Sequence, residues 1–376
     1  MLTKASRRRD FPSLEGMVYL NTAAEGIPPR AVLDALGQYG WDKLLGMDGR
    51  KLHEAQWQGV RRGAADLFGL TSEEIGICSC SSEAFNLVAL AMRLRPGDEV
   101  IINDLDFPAG ATPWLKADCP AKVRVWRSRG GALHIGDLVG LLGPRTRLVS
   151  ASIVSFYNGY TLVLPELSEA VRAHSGAMVA VDVTQALGRI PLDLKGADVI
   201  VSSTHKWILG THGGGLVGVP AARAEEWTVP AGGWFNLQNA FDADRFERVV
   251  TKPGAASFCV GMPNYPAVYA VNAALGYIGA VGVRAIDDFA RPLVRECLDG
   301  LKRLPVDLLT PDEPGHVAGI IAFRHERADR IHRKLHDAGV HVMCHAGRLR
   351  VAIHGYNTPA DIERFLRELR EALDHA

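Results

Sequence analysis

The sequence predicts an α/β fold with a mostly parallel central sheet flanked by helices, followed by a smaller α+β C-terminal domain. Three observations carry this expectation. Short apolar runs alternate with longer helix-like segments through most of the chain, as in repeated strand–helix–strand units. The runs MVAV at 178–181 and VIV at 199–201 are apolar throughout, as expected of strands covered on both faces. A chain of 376 residues has room for two domains of roughly 100–200 residues each.

The elements follow in order. Residues 1–16 are an arm carrying the cluster Arg7, Arg8 and Arg9, expected to be solvated. Residues 17–20 read as a short strand, and the turn-rich stretch 21–29 feeds a helix from Arg30. Strands are expected at 75–80, 99–102 and 147–154, and helices at 83–93 and 166–174, ahead of the two buried strands. Residues 216–219 follow Lys206 too closely for a helical crossover, which predicts an antiparallel neighbour. Residues 221–260 are irregular and rich in Gly, Trp and Phe. A helix at 265–281 leads into helix 283–303, strand 319–324, helix 328–338, strand 349–353 and helix 360–373. The expected division is an arm (1–16), a large α/β domain (17–260), and a linking helix with the small domain (261–376).

Composition narrows the function. The chain is 47% hydrophobic and 22% charged, with a formal net charge of zero. Nothing in that balance points to nucleic acid or an anionic membrane surface. No apolar run approaches the ~18 residues of a membrane span. The basic start runs into Asp10 and Pro12 rather than an apolar segment, so no signal peptide is expected. Six cysteines form no CxxC pair and no zinc or disulfide spacing. That predicts no metal site and a reducing, cytoplasmic setting. Cys78 and Cys80 are expected to be buried on one face of a strand.

Open α/β sheets bind ligands at the carboxyl ends of their strands. The 199–201 run leads to Ser203, Thr204, His205 and Lys206, and the 178–181 run ends in Asp182, with Gln185 just beyond. A buried amine beside a buried carboxylate suits pyridoxal phosphate: the amine carries the aldehyde and the carboxylate pairs with the ring nitrogen. Ser81 and Ser82, between a strand and a helix, offer hydroxyls and free N–H groups for a phosphate, although serine also caps helices without any ligand. Phe107 could stack on a planar ring or simply fill a loop. Asp182 alone could be a salt bridge or a helix cap. Arg350, starting a strand in the second domain, suits a carboxylate but is equally an ordinary surface arginine.

The whole pattern resembles the class V aminotransferase-fold enzymes, a branch of pyridoxal-phosphate fold type I that includes cysteine desulfurases, kynureninases and isopenicillin-N epimerase-like proteins. The resemblance runs from Tyr19-Leu-Asn-Thr-Ala-Ala24 to Arg350 and Tyr356-Asn-Thr358. Its most specific part is Asp182-x-x-Gln185-Ala-x-Gly188 followed by Ser203-x-His205-Lys206-Trp207. It implies that Lys206 carries the cofactor as a Schiff base and moves protons. It implies that Asp182 pairs with the ring nitrogen and that Gln185 approaches the phenolic oxygen. Ser81, Ser82, Ser203 and His205 would hold the phosphate, and Phe107 would take the ring-stacking position. Ser155 or Asn158 would contact the cofactor from the loop over the ring. Arg350 and Asn21 would bind an amino-acid substrate. A homodimer is implied, with the 231–239 stretch as a candidate for its interface or for substrate recognition.

Two departures stand out. Met262 falls where the family often has a threonine completing the partner's phosphate site, so a main-chain group or Asn264 would have to substitute. Cys344 is only six residues before Arg350, without the mobile loop that carries the desulfurase nucleophile. Aminotransferase or epimerase-like activity is therefore the leading expectation. A β-eliminating C–S lyase is the alternative, and a non-catalytic binding protein of the same fold is a third.

Overall fold

The computed structural model describes residues 1–313 and 315–374; the last two residues of the expected 261–376 unit lie outside the described residues. Helix α1 (Lys4–Asp10) and strand β1 (Val18–Tyr19) precede α2 (Arg30–Leu44) and α3 (Arg50–Phe68). Helix α3, absent from the expected elements, buries the stripe His53, Trp57, Val60, Ala64 and Phe68. The three- and four-residue spacing keeps that stripe on one face. The helix stops at Gly69, whose φ of 68° closes its C-terminus.

The chain continues with β2 (Ile75–Cys78), α4 (Ser81–Met92), β3 (Glu99–Asn103), α5 (Pro108–Leu115), β4 (Lys122–Trp126), α6 (Ile135–Val139) and β5 (Thr146–Ser152). It goes on through α7 (Leu164–His174), β6 (Met178–Asp182), β7 (Val199–Ser203) and β8 (Gly215–Gly218). These strands form a seven-stranded sheet in the order β2-β8-β7-β6-β5-β3-β4. Strand β8 runs antiparallel to both neighbours, as expected, and every other pairing is parallel. The carboxyl ends of β2, β3, β5, β6 and β7 consequently meet at one edge of the sheet. The segments that leave that edge begin at Ser79, Asp104, Ile153, Val183 and Thr204, and they carry the site. The unforeseen β4 alternates Lys122 and Arg124 with apolar residues, as suits an edge strand; Arg124 pairs with Glu99 of β3 at 3.4 Å.

Helices α8 (Tyr265–Val281) and α9 (Val283–Leu301) lead to β9 (Asp307–Leu308), β10 (Ile320–Arg324), α10 (Ala328–Asp337), β11 (Val340–His341), β12 (Met343–His345), β13 (Arg348–Ala352) and α11 (Pro359–Asp374). An antiparallel sheet β12-β13-β10-β9 packs against α9, α10 and α11 through a core that includes Leu298, Phe323, Ile331, Leu349 and Phe365. Val18 and Leu20 join this core, and β1 pairs in parallel with β11. Among the described residues no single helix is long and apolar enough to cross a membrane.

Two expectations change. The strand expected at 75–80 ends at Cys78, because Cys80 becomes the cap of α4, its sulfur accepting the Glu83 N–H at 3.4 Å. Cys78 is buried as expected, whereas Cys80 is exposed. The basic arm is also not simply solvated. Arg7 pairs with Asp361 at 3.2 Å and donates to the Leu14 and Met17 carbonyls, while Met1, Phe11 and Leu14 are buried.

Candidate active site

The five segments leaving the carboxyl edge of the large sheet enclose a cavity of about 170 Å³. Ser81, Ser82, Phe107, Asp182, Gln185, Ser203, His205 and Lys206 all line it, together with Cys80, Ser152, Phe156 and Thr184. Residues far apart in the sequence meet here because parallel strands deliver successive loops to the same edge.

Lys206 is 9% exposed, and its Nζ lies 5.0 Å from the centre of the Phe107 ring. Among the described residues its ammonium has no ion pair within 4 Å. Burial brings the amine down to about 8; Asp182 opposes the fall and Arg350 adds to it. Asp182 is buried, and its Oδ1 accepts the Thr184 N–H at 2.8 Å. Burial raises its pKa, while the Thr184 hydrogen bonds and Lys206 lower it. Nearby, Asp106 accepts the Ser152 N–H at 2.7 Å, and burial pushes its carboxyl up to about 7.

The opposite wall is the start of α4. Ser203 donates its hydroxyl to Ser81 Oγ at 3.0 Å, and the Ser203 N–H is held by Thr184 Oγ1 at 2.9 Å. The hydroxyls of Ser81, Ser82 and Ser203 and the free N–H groups of a helix N-terminus make an anion cradle. His205 beside it is stacked on His212, ring centres 4.3 Å apart. Burial, reinforced by Lys206 and His212, holds its imidazole down to about 4. Gln185 is oriented from both ends: the Trp207 indole N–H donates to its Oε1 at 2.6 Å, and its Nε2 donates to the Ala23 carbonyl at 3.1 Å.

Asn158, Ser155, Arg350 and Asn21 do not line the cavity. Asn158 is fully engaged elsewhere. Its Nδ2 donates to the Gly131 and Leu309 carbonyls at 2.7 and 3.3 Å, and its Oδ1 accepts the Tyr160 N–H at 3.1 Å. Ser155 is likewise spent, donating to the Leu105 carbonyl at 2.9 Å. The aromatic between them, Phe156, faces the cavity instead and meets Phe107 edge-on at 5.0 Å. An aromatic in a loop just after a buried strand was the signal that could have found it. Arg350 sits in the middle of β13 rather than at its start, donating from Nη1 to the Phe156 carbonyl at 2.8 Å. Burial and Arg348 bring it down to about 10. Asn21 bridges to Ala352 of the same strand. Arg350 Nε and Asn21 Oδ1 are both buried without a hydrogen-bond partner.

Cys344 is half-buried, donates to Asp329 at 3.4 Å and is pushed up to about 11 by burial and that carboxylate. Asn264 accepts the Ala267 N–H at 3.4 Å as the cap of α8, while Met262 is exposed.

The donor set fits pyridoxal phosphate on its own terms. A buried amine without an ion pair and a buried carboxylate with only neutral donors are each costly unless a partner completes them. An anion cradle lines the same cavity, and the Arg350 guanidinium, whose Nε is unpartnered, holds the carbonyl of the cavity-lining Phe156.

Comparison with known proteins agrees. The chain is 27% identical over 372 residues to an uncharacterized aminotransferase, YcbU, of Bacillus subtilis, covering 98% of each. It is 31% identical over 337 residues to a cysteine desulfurase of Klebsiella pneumoniae, covering 84% of this chain and 81% of that one. The structure of the apo cysteine desulfurase from Thermococcus onnurineus NA1 superposes with a TM-score of 0.90 at 22% identity, covering 100% of this chain and 99% of the other, and has the same fold. Aminotransferase class-V matches residues 18–365, and the chain belongs to that family of pyridoxal-phosphate enzymes.

Proposed function

We propose that this protein is a pyridoxal-phosphate enzyme acting on the α-carbon of an amino acid, with aminotransferase or epimerase-like activity. The observation that carries the reading is Lys206: a buried amine lowered to about 8, in the same cavity as Asp182 and the α4 cradle. When bound, pyridoxal phosphate supplies an aldehyde and an electron-withdrawing ring. Ser81, Ser82, Ser203 and His205 would hold its phosphate. Asp182 would keep the ring nitrogen protonated, and Gln185 would face the phenolic oxygen. Phe107 and Phe156 would exclude water. Lys206 Nζ, once neutral, takes the proton from the substrate carbon and returns it. The unpartnered Nε of Arg350 supports binding of the substrate carboxylate, with Asn21 alongside.

The second reading is a β-eliminating C–S lyase, favoured by the 31% identity to a cysteine desulfurase. Against the desulfurase variant of that chemistry, Cys344 is tied to Asp329 and raised to about 11, which leaves little thiolate to accept sulfur. A homodimer is supported by the exposed apolar residues Trp41, Leu44 and Met47 at the α2–α3 turn and Phe241 and Phe246 in the 221–260 region. Six free cysteines suit a reducing compartment such as the cytoplasm.

The test is to incubate the loaded protein with single amino acids, with and without a keto acid. Amino transfer or inversion at the α-carbon is expected. Pyruvate and sulfide release without either outcome would replace the leading reading by the lyase. Activity unchanged in Lys206→Ala would overturn the site itself.

A further inference from the structure

Beside the cavity, Glu25 and His212, which have no part in the proposed cofactor site, stand next to His205. Glu25, His205 and His212 present a carboxylate oxygen and two imidazole nitrogens that all lie within 4.8 Å of one another. His212 Nε2 already meets Glu25 Oε1 at 2.9 Å, and the imidazoles of His205 and His212 are stacked at 4.3 Å between centres. We infer that Glu25, His205 and His212 form a site for a divalent transition metal such as zinc, whose occupancy excludes the cofactor phosphate.

The backbone around the three is tied together. Gly26 N–H donates to the His205 carbonyl at 2.8 Å, which fixes Glu25 beside His205. Tyr19 Oη donates to the Glu25 carbonyl at 2.8 Å. Thr204 Oγ1 contacts the carbonyls of Thr211 and Gly214 at 2.7 and 2.9 Å, which folds His212 back over His205. Two imidazoles and one carboxylate are a donor set for zinc, cobalt(II) or nickel rather than magnesium or calcium. Zinc bonds of about 2.0–2.2 Å in tetrahedral geometry bring ligand atoms to about 3.4 Å from one another. The side chains of His212 and Glu25 are 69% and 53% exposed, so rotation of these two can close the remaining distance while His205 stays in its wall.

The antagonism follows from the shared residue. His205 lines the cavity, and the antagonism requires that the metal take the same ring nitrogen that would meet a phosphate oxygen. This half of the inference rests on the proposed cofactor role of His205; the metal site itself does not.

The full chain, freed of cofactor and metal, is titrated with cobalt(II). Saturable visible d–d absorption at one ion per chain is expected, with affinity at least ten-fold weaker in His212→Ala and in Glu25→Gln. Urea unfolding checks that both variants fold. In a second arm, zinc is added before pyridoxal phosphate, and cofactor uptake is followed by visible absorbance. Zinc should slow or weaken uptake at least ten-fold in the unaltered chain, reversibly with a chelator, and should have little effect in His212→Ala. Absence of saturable cobalt binding, or equal binding by all the variants, overturns the site. Bound zinc with unchanged uptake overturns the antagonism. Failure of the metal-free chain to take up pyridoxal phosphate at all counts against the function reading, and the cobalt arm then decides the metal site alone.

Discussion

His354 Nε2 lies 2.8 Å from the carbonyl oxygen of Trp207, the residue that follows Lys206. The Gly355 N–H donates to the other ring nitrogen, Nδ1, at 2.6 Å, so the proton sits on Nε2 and the imidazole donates to Trp207. Its ring is stacked between Trp207 and Tyr356, with centres 5.6 and 5.3 Å away. The β13–α11 turn thereby grips the backbone beside Lys206.

That grip requires a neutral ring. Burial holds His354 down to about 3, below its ordinary 6.5. The unfolded chain therefore binds a proton that the folded chain refuses. The stabilisation is complete above about pH 6.5 and drains away as pH falls toward 3. In His354→Gln, urea unfolding should give lower stability at pH 7, by about 1–3 kcal/mol for a disturbed buried hydrogen bond. It should also give a shallower loss between pH 6.5 and 4.5. An unchanged acid slope would assign that slope to other groups, such as His205.

Lys206 should titrate far below a free lysine. In the cofactor-free chain, acylation of its amine should have a midpoint near 8 rather than 10.5. Arg350→Gln removes a nearby positive charge and should move the midpoint up. Asp182→Asn removes the stabilising carboxylate and should move it down. Mass spectrometry of the labelled peptide reads each shift directly. Lys206→Ala should abolish turnover by about 10³-fold or more if the amine is the proton carrier.

Much of this arrangement is legible in the sequence. The VIV and MVAV runs announce buried strands, and Asp182 and Lys206 stand at their ends because parallel strands present loops at one edge. Helix 265–281 and the antiparallel strand at 216–219 follow from periodicity and from loop length. A polar residue in a loop over a site, such as Asn158, looks functional in the sequence. The carbonyls of Gly131 and Leu309 that absorb its side chain come from segments whose approach no local pattern encodes. Phe156 and Asp106 escaped for the same reason: what they face is decided by tertiary packing. The docking of Arg7 on Asp361 joins residues 354 apart in sequence and has no local signature either.

Gly26 should tolerate no side chain. A Cβ there would lie 2.0 Å from the Lys206 carbonyl oxygen and 3.0 Å from Leu209 Cδ2. The nearer obstacle is backbone and cannot rotate away. Gly26→Ala should destabilise the fold by about 1–3 kcal/mol and should weaken cofactor retention by displacing Lys206. In exposed Gly276 of α8, an added Cβ meets nothing within 4 Å, so Gly276→Ala should stabilise by about 0.5–1 kcal/mol through helix propensity. Thermal melts and cofactor dissociation rates for the two variants make the comparison.

Arg189 should be worth little to stability as part of a pair and a great deal when left alone. It is fully buried, with Nη1 2.9 Å from Asp287 Oδ1, Nε donating to the Ile353 carbonyl at 2.9 Å, and Nη2 without a partner. The pair links the segment after Gly188 to α9, and the Ile353 contact links both to the end of β13. Asp287→Ala leaves a guanidinium buried without its counter-charge, and about 3–5 kcal/mol of destabilisation is expected. Replacing both partners by apolar residues, Arg189→Met with Asp287→Leu, should recover most of that loss, because desolvation of two charges is removed together with their attraction. Denaturant midpoints of the single and double variants settle the sign. A double variant as unstable as Asp287→Ala would mean that the Ile353 hydrogen bond or the Arg291–Asp287 contact, and not the Arg189–Asp287 pair, holds this junction.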